Sequence, residues 1–190
     1  MALIGRLLKN RRAGGKHLAW GAPNLACTNT LRLTSPAFED GEPIPAAHAS
    51  KRAGGGDQSP ALAWSQVPSS TDQLLLVIED PDAPTRVPFV HCVALIEPSI
   101  TDLPERALSA DTPTPGVRLL RSGMGRGYLG PAPIRGHGPH RYVFQLFALA
   151  KPVPPPSNGT ALESAKPRQV LATATDVLAR GRLDGLYERP

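Results

Sequence analysis

Residues 78–91 read IEDPDAPTRVPFVH. They end the apolar run QLLLVIED (73–80), which stops at Asp80-Pro81-Asp82-Ala83-Pro84. A run of strand length without polar alternation predicts a central strand buried on both faces. Pro81 and Pro84 fix φ and stiffen the turn behind it. Two aspartates are therefore held at a strand end. An aspartate in a turn ordinarily accepts backbone N–H bonds. Two of them, followed by His91 on the next run, predict the wall of a pocket.

That next run is FVHCVALIE (89–97). Strict alternation puts Val90, Cys92, Ala94 and Ile96 on one face, and His91, Val93 and Leu95 on the other. A third strong strand, RYVFQLFALA (141–150), follows GHGPH (136–140). TLRLTS (30–35) and ALAWS (61–65) read as shorter strands. The segments between these runs read as loops. The 18 glycines and 22 prolines break pattern so often that a strand-and-loop architecture is predicted over most of the chain. The exception is AKPRQVLATATDVLARG (165–181), after the proline-rich KPVPPPSNG (151–159). Val170, Leu171, Ala174, Val177 and Leu178 follow helical spacing there. Pro167 suits a first turn and Gly181 a C-cap, so one long helix is predicted.

The 190 residues fit one domain with a sizeable core. The formal charge of +5 equals the five cations Arg6, Lys9, Arg11, Arg12 and Lys16, and the first acid is Glu39. A nucleic-acid binder carries its charge across the folded body among aromatics, so no nucleic-acid partner is expected. The chain divides into a basic N-terminal extension, 1–27, and a single domain, 28–190. Leu3, Ile4, Leu7 and Leu8 share one face of a short N-terminal helix. Such a helix can lie on an anionic membrane, but docking on the body through its leucines is the expected state. No stretch approaches the ~18 apolar residues of a membrane span. Cys27 and Cys92 form no CxxC pair. NLACTN (24–29) has Asn24 where a lipoprotein box has leucine, and no long apolar region precedes it. A cytoplasmic location is expected.

DPDAPT followed by FVH, and GYLGPAPIRGHGPHRYVFQLFAL (127–149), give the chain a resemblance to a known family. With SPALAWSQVP (59–68) and GRLDGLYER (181–189), it resembles the phosphatidylethanolamine-binding proteins, also called the Raf kinase inhibitor protein family, closest to their bacterial branch. The motifs keep the family's order over roughly residues 28–188. The resemblance implies a mainly β fold, with a large central antiparallel sheet, a smaller sheet and a few peripheral helices including a C-terminal one. It implies a small surface pocket for phosphate or a phosphorylated head group such as that of phosphatidylethanolamine. Carried over by motif, the ligand-binding residues are Asp80, Asp82, His91, Gly130, Pro131, His140 and Tyr142, with Phe89, Pro133 and Tyr187 at the pocket edge. Phe89 stands where many members have tryptophan, Ala132 where proline or cysteine is frequent, and Thr85 where animal members have serine. None of these changes removes a polar pocket group.

The residue chemistry agrees with an anion. His91 and His140 can donate hydrogen bonds, and Tyr142 lies two residues from His140 on the same strand face. Asp80 is expected to hold a histidine tautomer, or to accept from a ligand ammonium or a protonated phosphate oxygen. No cofactor, no metal and no enzymatic activity are expected. His137 and His140 are three apart, but Gly138-Pro139 prevents the helix that would preset them as ligands, and His137 reads as a solvated loop residue. Ser122 has no preset base and there is no nucleophile elbow, so hydrolysis and phosphoryl chemistry are set aside. The main alternative is inhibition of a kinase or protease through protein contact, with Tyr128, Arg135 and Arg141 on the pocket rim. Membrane contact is expected to be peripheral at most, and a homodimer stays open.

Overall fold

The computed structural model describes residues 2–189. Its centre is a five-stranded antiparallel sheet in the order β10-β9-β3-β4-β6. Here β3 is Gln73–Asp80, β4 Phe89–Ile96, β6 Val117–Leu119, β9 His140–Leu149 and β10 Val177–Tyr187. A three-stranded sheet packs on one face, with β1 (Arg32–Thr34), β2 (Leu62–Ser65) and β5 (Asp102–Leu103) in the order β1-β2-β5. A hairpin of β7 (Arg121–Ser122) and β8 (Gly125–Arg126) stands apart.

The strand β3 is buried on both faces, as its unbroken apolar run predicts. Leu74, Leu76 and Ile78 join Phe144, Leu146 and Ala148 of β9 against Leu33, Leu62 and Trp64 of the small sheet. Leu75 and Val77 join Phe147 and Leu149 in a second core. That core is closed by Ala19 and Leu25 from the N-terminal segment and by Val170 and Leu171 from the helix α2 (Pro167–Thr173). The sheet is thus the middle layer of three.

The predicted long helix is a correction. α2 starts at Pro167 as expected but ends at Thr173. Asn24 Nδ2 donates to the carbonyls of Leu171 and Ala174, each at 2.8 Å, and so satisfies the end of the helix from outside. Asp176 then turns the chain at φ 57, and residues 177–187 are strand. In β10 the inward positions are Ala179, Gly181, Leu183 and Gly185. A Cβ at Gly181 would collide with Leu31. That glycine marks a close backbone approach inside a strand, not a helix cap.

Two further expectations change. Strict alternation fails in β4, because β3 and β4 shift register between Ile78↔Cys92 and Glu79↔Val90. His91 is the extra residue of this bulge. It is turned from the side of Val93 and Leu95 to that of Tyr142, with ring centroids 5.0 Å apart. The N-terminal helix α1 (Ala2–Leu8) forms, but Leu3, Ile4 and Leu7 are 74%, 59% and 84% exposed. It docks through Gly5, whose missing Cβ lets the helix lie against the backbone of Arg135 and His137. The rest of the basic segment is tied to the body. Ala13 N donates to Ala83 O at 2.9 Å and Gly14 N to Pro81 O at 2.8 Å. Arg180 stacks over the Trp20 ring at 4.1 Å.

Candidate functional site

The end of β3 and the starts of β4 and β9 meet at one end of the central sheet. A pocket of about 580 Å³ opens there. Asp80, His91, His140 and Tyr142 line it, with Gly130 and the expected edge residues Phe89 and Pro133. The bulge supplies His91, the DPDAP turn supplies Asp80, and alternation in β9 supplies His140 and Tyr142 together.

Asp80 is held by its own turn. Its Oδ1 accepts the N–H groups of Asp82 at 2.8 Å and Ala83 at 3.0 Å. Its Oδ2 lies 2.7 Å from His140 Nδ1. His140 Nε2 lies 2.8 Å from His137 Nδ1, and His137 Nε2 lies 2.8 Å from Leu8 O, the last carbonyl of α1. All three side chains are buried. His137 is therefore not a solvated loop residue. The close seat of α1 on residues 135–137 shuts it in.

This row obeys a proton count. Leu8 O can only accept, so His137 Nε2 carries a hydrogen and its Nδ1 accepts from His140 Nε2–H. Three hydrogen bonds need three protons, and two neutral imidazoles carry two. The row holds a third, between Asp80 Oδ2 and His140 Nδ1, so carboxylate and imidazoles together are neutral. Both nitrogens of His140 are then engaged, and it offers nothing to a ligand. The expectation that it donates to an anion is corrected. The tautomer-holding role weighed for Asp80 is the one its geometry matches.

His91 differs. Its Nδ1 lies 2.7 Å from Leu129 O, so Nδ1 carries the hydrogen and Nε2 is left for the pocket. Burial pushes its pKa below 6.5, against the opposing charge of Asp80, which leaves Nε2 bare in the free protein at neutral pH. Phe89 meets the ring edge-on at 5.0 Å. The Tyr142 hydroxyl points toward the Ala132 backbone but completes no hydrogen bond, and the residue is 1% exposed. Burial pushes the phenol far above its ordinary pKa, so it stays a neutral O–H donor.

Lys51, Arg52 and Arg189 also line the pocket, as does Asp57. Asp57 Oδ1 accepts Gly130 N at 2.6 Å and so pins the loop that follows β8. With the Asp80 row neutral, these three cations against one carboxylate leave an excess of two positive charges. None of the four was picked out from the sequence. For Lys51, Arg52 and Asp57 the only signal was the SKRAGGGD stretch at 50–57.

Three expected site residues lie elsewhere. Pro131 is buried beside the pocket, its carbonyl accepting Ser50 N at 3.0 Å. Tyr187 ends β10 opposite His140, outside the lining. Asp82 turns away to Arg141, which donates from Nε at 2.9 Å, Nη2 at 3.0 Å and its backbone N at 2.9 Å, and to Arg12 at 2.9 Å. Of the expected rim residues, Tyr128 is buried, donating to His48 O at 3.0 Å, and Arg141 is committed to Asp82, while Arg135 is exposed. Ser122 Oγ is buried without a hydrogen-bond partner. Among the described residues no three His, Cys, Asp or Glu side chains converge as metal ligands.

Asp82 carries a consequence for acid stability. Burial alone would raise its pKa, but the bonds from Arg141 and Arg12 overcome this and hold it at about 2 against the ordinary 3.8. A depressed carboxylate stabilises the fold above the unfolded value, and that stability is lost as the pH falls from about 4 toward 2, by about 2 kcal/mol in all. Asp82→Asn should flatten the stability profile over that window, as denaturant unfolding at stepped pH would show. An unchanged slope would remove Asp82 from the acid response.

The chain thus has a three-layer β fold with a basic, ligand-sized pocket at one end of its central sheet. The family model described as "Phosphatidylethanolamine-binding protein" matches residues 34–188, and the chain belongs to that family. It is 36% identical over 167 residues to a "UPF0098 protein" of Aquifex aeolicus, covering 84% of this chain and 89% of that one. It is 35% identical over 161 residues to the "Putative lipoprotein LppC" of Mycobacterium tuberculosis, covering 83% and 72%. Among solved structures it is similar to Escherichia coli YbcL, described as a new member of the mammalian PEBP family. That match has a TM-score of 0.73 at 29% identity and covers 83% of this chain and 98% of YbcL. The Chlamydia trachomatis homologue CT736 gives 0.70 at 28%, covering 86% and 100%. No helix among the described residues is long and apolar enough to cross a membrane.

Proposed function

We propose that this pocket binds a phosphoryl anion, as free phosphate or as the head group of a phosphate ester, without catalysing its turnover. The observation that carries the reading is the Tyr142 hydroxyl. A buried O–H without a partner is costly, and a ligand oxygen at the pocket floor would remove that cost. The rim cations draw an anion in, and His91 Nε2 recognises its protonation state. A bare Nε2 accepts, so it meets the O–H of hydrogenphosphate, or, with a phosphate ester that carries no O–H, a proton taken up on the anion or on His91. The reading includes the cytoplasm as its location, where the unpaired thiols of Cys27 and Cys92 are ordinary.

The test is calorimetric titration with inorganic phosphate and with O-phosphoethanolamine. Tyr142→Phe removes one oxygen that bonds to nothing in the free protein. It should weaken both ligands about tenfold, the worth of a hydrogen bond to a charged group, while the free protein, relieved of a partnerless buried hydroxyl, unfolds at a midpoint no lower than before. Equal affinity in the variant would take Tyr142 out of the site and the reading with it.

A further inference from the structure

The helix α1 lies outside residues 34–188, the part of the chain that the family model matches. Yet the carbonyl of Leu8 closes the row that begins at Asp80. Little else holds α1 in place. Of residues 3–8 only Gly5 is buried, and Leu3, Ile4 and Leu7 give their apolar surface to solvent. A helix of seven residues does not persist in water by itself. Its seat on residues 135–137 therefore carries it, which places α1 at the low-stability end of the fold. The ties of Arg12, Ala13 and Gly14 to the body lie beyond it, so α1 can leave while they stay.

The seat fixes the proton count of the row. Leu8 O accepts Arg11 N at 2.7 Å and, on its other lone pair, His137 Nε2–H. His137 Nδ1 must then accept from His140 Nε2–H. Loss of the third proton would leave a bare His140 Nδ1 facing the Asp80 carboxylate at 2.7 Å, acceptor against acceptor. With α1 away, water meets His137 Nε2 and the other tautomer is open. His137 Nδ1–H then donates to His140 Nε2, and His140 Nδ1–H to Asp80. Two protons now make both remaining bonds, and the row is free to carry a full negative charge. That charge borders the pocket that Asp80 and His140 line.

We propose that docking of α1 locks the third proton into the row and so readies the pocket for an anion, each of the two events favouring the other. This rests on the phosphoryl reading and adds a regulatory element to it. The other groups facing the row offer no such change. On the far side Arg12 and Arg141 are paired with Asp82. On the pocket side His91 and Tyr142 are neutral, Asp57 is bonded to Gly130 N, and Lys51, Arg52 and Arg189 stand at the rim. Arg6 and Lys9, on α1 and just after it, are exposed.

Gly5→Leu in the full chain tests this. A Cβ there would collide with the backbone of Arg135 and His137, so the variant does not seat α1, and residue 5 is outside the pocket lining. Calorimetric titration with O-phosphoethanolamine should give wild-type affinity at about pH 5 and about tenfold weaker binding at about pH 8. In two buffers at about pH 8 the variant should take up more protons on binding than the wild type, by up to about one. In the wild type, saturating O-phosphoethanolamine should slow hydrogen exchange of the α1 amides by about the same tenfold, since the coupling is reciprocal. Equal affinity across the range, tighter binding by the variant, or a loss that is the same at every pH with no extra proton each overturns the lock and leaves the pocket reading standing. Unchanged α1 exchange on ligand binding overturns it without recourse to a variant. A wild type that binds nothing ends the pocket reading and the lock with it.

Discussion

Replacing Asp80 with alanine lowers the free energy of unfolding by about 3–5 kcal/mol, while asparagine at the same position costs about 1 kcal/mol. The contrast follows from the proton count. Alanine takes the acceptor from two backbone N–H groups and strands the extra proton on a buried imidazole row. Asparagine keeps an oxygen for the turn and turns an N–H toward His140 Nδ1. All three bonds of the row are then made with two neutral imidazoles and no extra proton. Denaturant unfolding of the two variants separates the cases. Equal loss in both would show that the row does not hold the third proton.

The other large effect lies on the opposite face of β3. Glu79 is fully buried and accepts from Ala19 N at 2.7 Å and Gln145 Nε2 at 2.9 Å, and Arg168 Nη2 lies 2.5 Å from its Oε1. Arg168 also donates to His17 O and Pro88 O. One carboxylate therefore joins β3, β9, α2 and the N-terminal segment. Glu79→Ala leaves an arginine and two N–H groups without their acceptor, and should cost about 3–5 kcal/mol. Combining it with Arg168→Met should recover part of the loss, because the orphaned charge goes too. If the double variant is as unstable as the sum of the singles, the pair is not coupled.

Much of this architecture is legible in the chain because burial on both faces of a sheet writes itself as an unbroken apolar run. QLLLVIED, FVHCVALIE and RYVFQLFALA announce β3, β4 and β9 within a residue or so of their bounds. The strand β10 is hidden because Gly181 and Gly185 occupy its inward positions, where Leu31, Ile44 and Phe38 leave no room for a side chain. Two glycines in a run with arginines look like punctuation. The bulge at His91 is equally silent, since one unpaired residue leaves no trace in the pattern.

The pocket is half legible. Motif and alternation place Asp80, His91, His140 and Tyr142 together. Which atoms remain free for a ligand depends on contacts distant in sequence. Leu8 O lies 129 residues from His137, and it decides how the whole imidazole row is protonated. Asp82 is drawn out of the pocket by Arg12 and Arg141, and no local rule distinguishes it from Asp80, two residues away.

The most direct measurement is calorimetric titration of the wild-type chain with O-phosphoethanolamine, whose phosphate is mostly a dianion without an O–H near neutral pH, in two buffers of different ionisation enthalpy. The account predicts saturation at one site, with a heat that differs between buffers by the uptake of up to about one proton per phosphate. The lowered pKa of His91 requires that proton to come from solution. Absence of saturation, or binding with no proton taken up, would contradict a pocket in which Tyr142 donates and His91 Nε2 accepts.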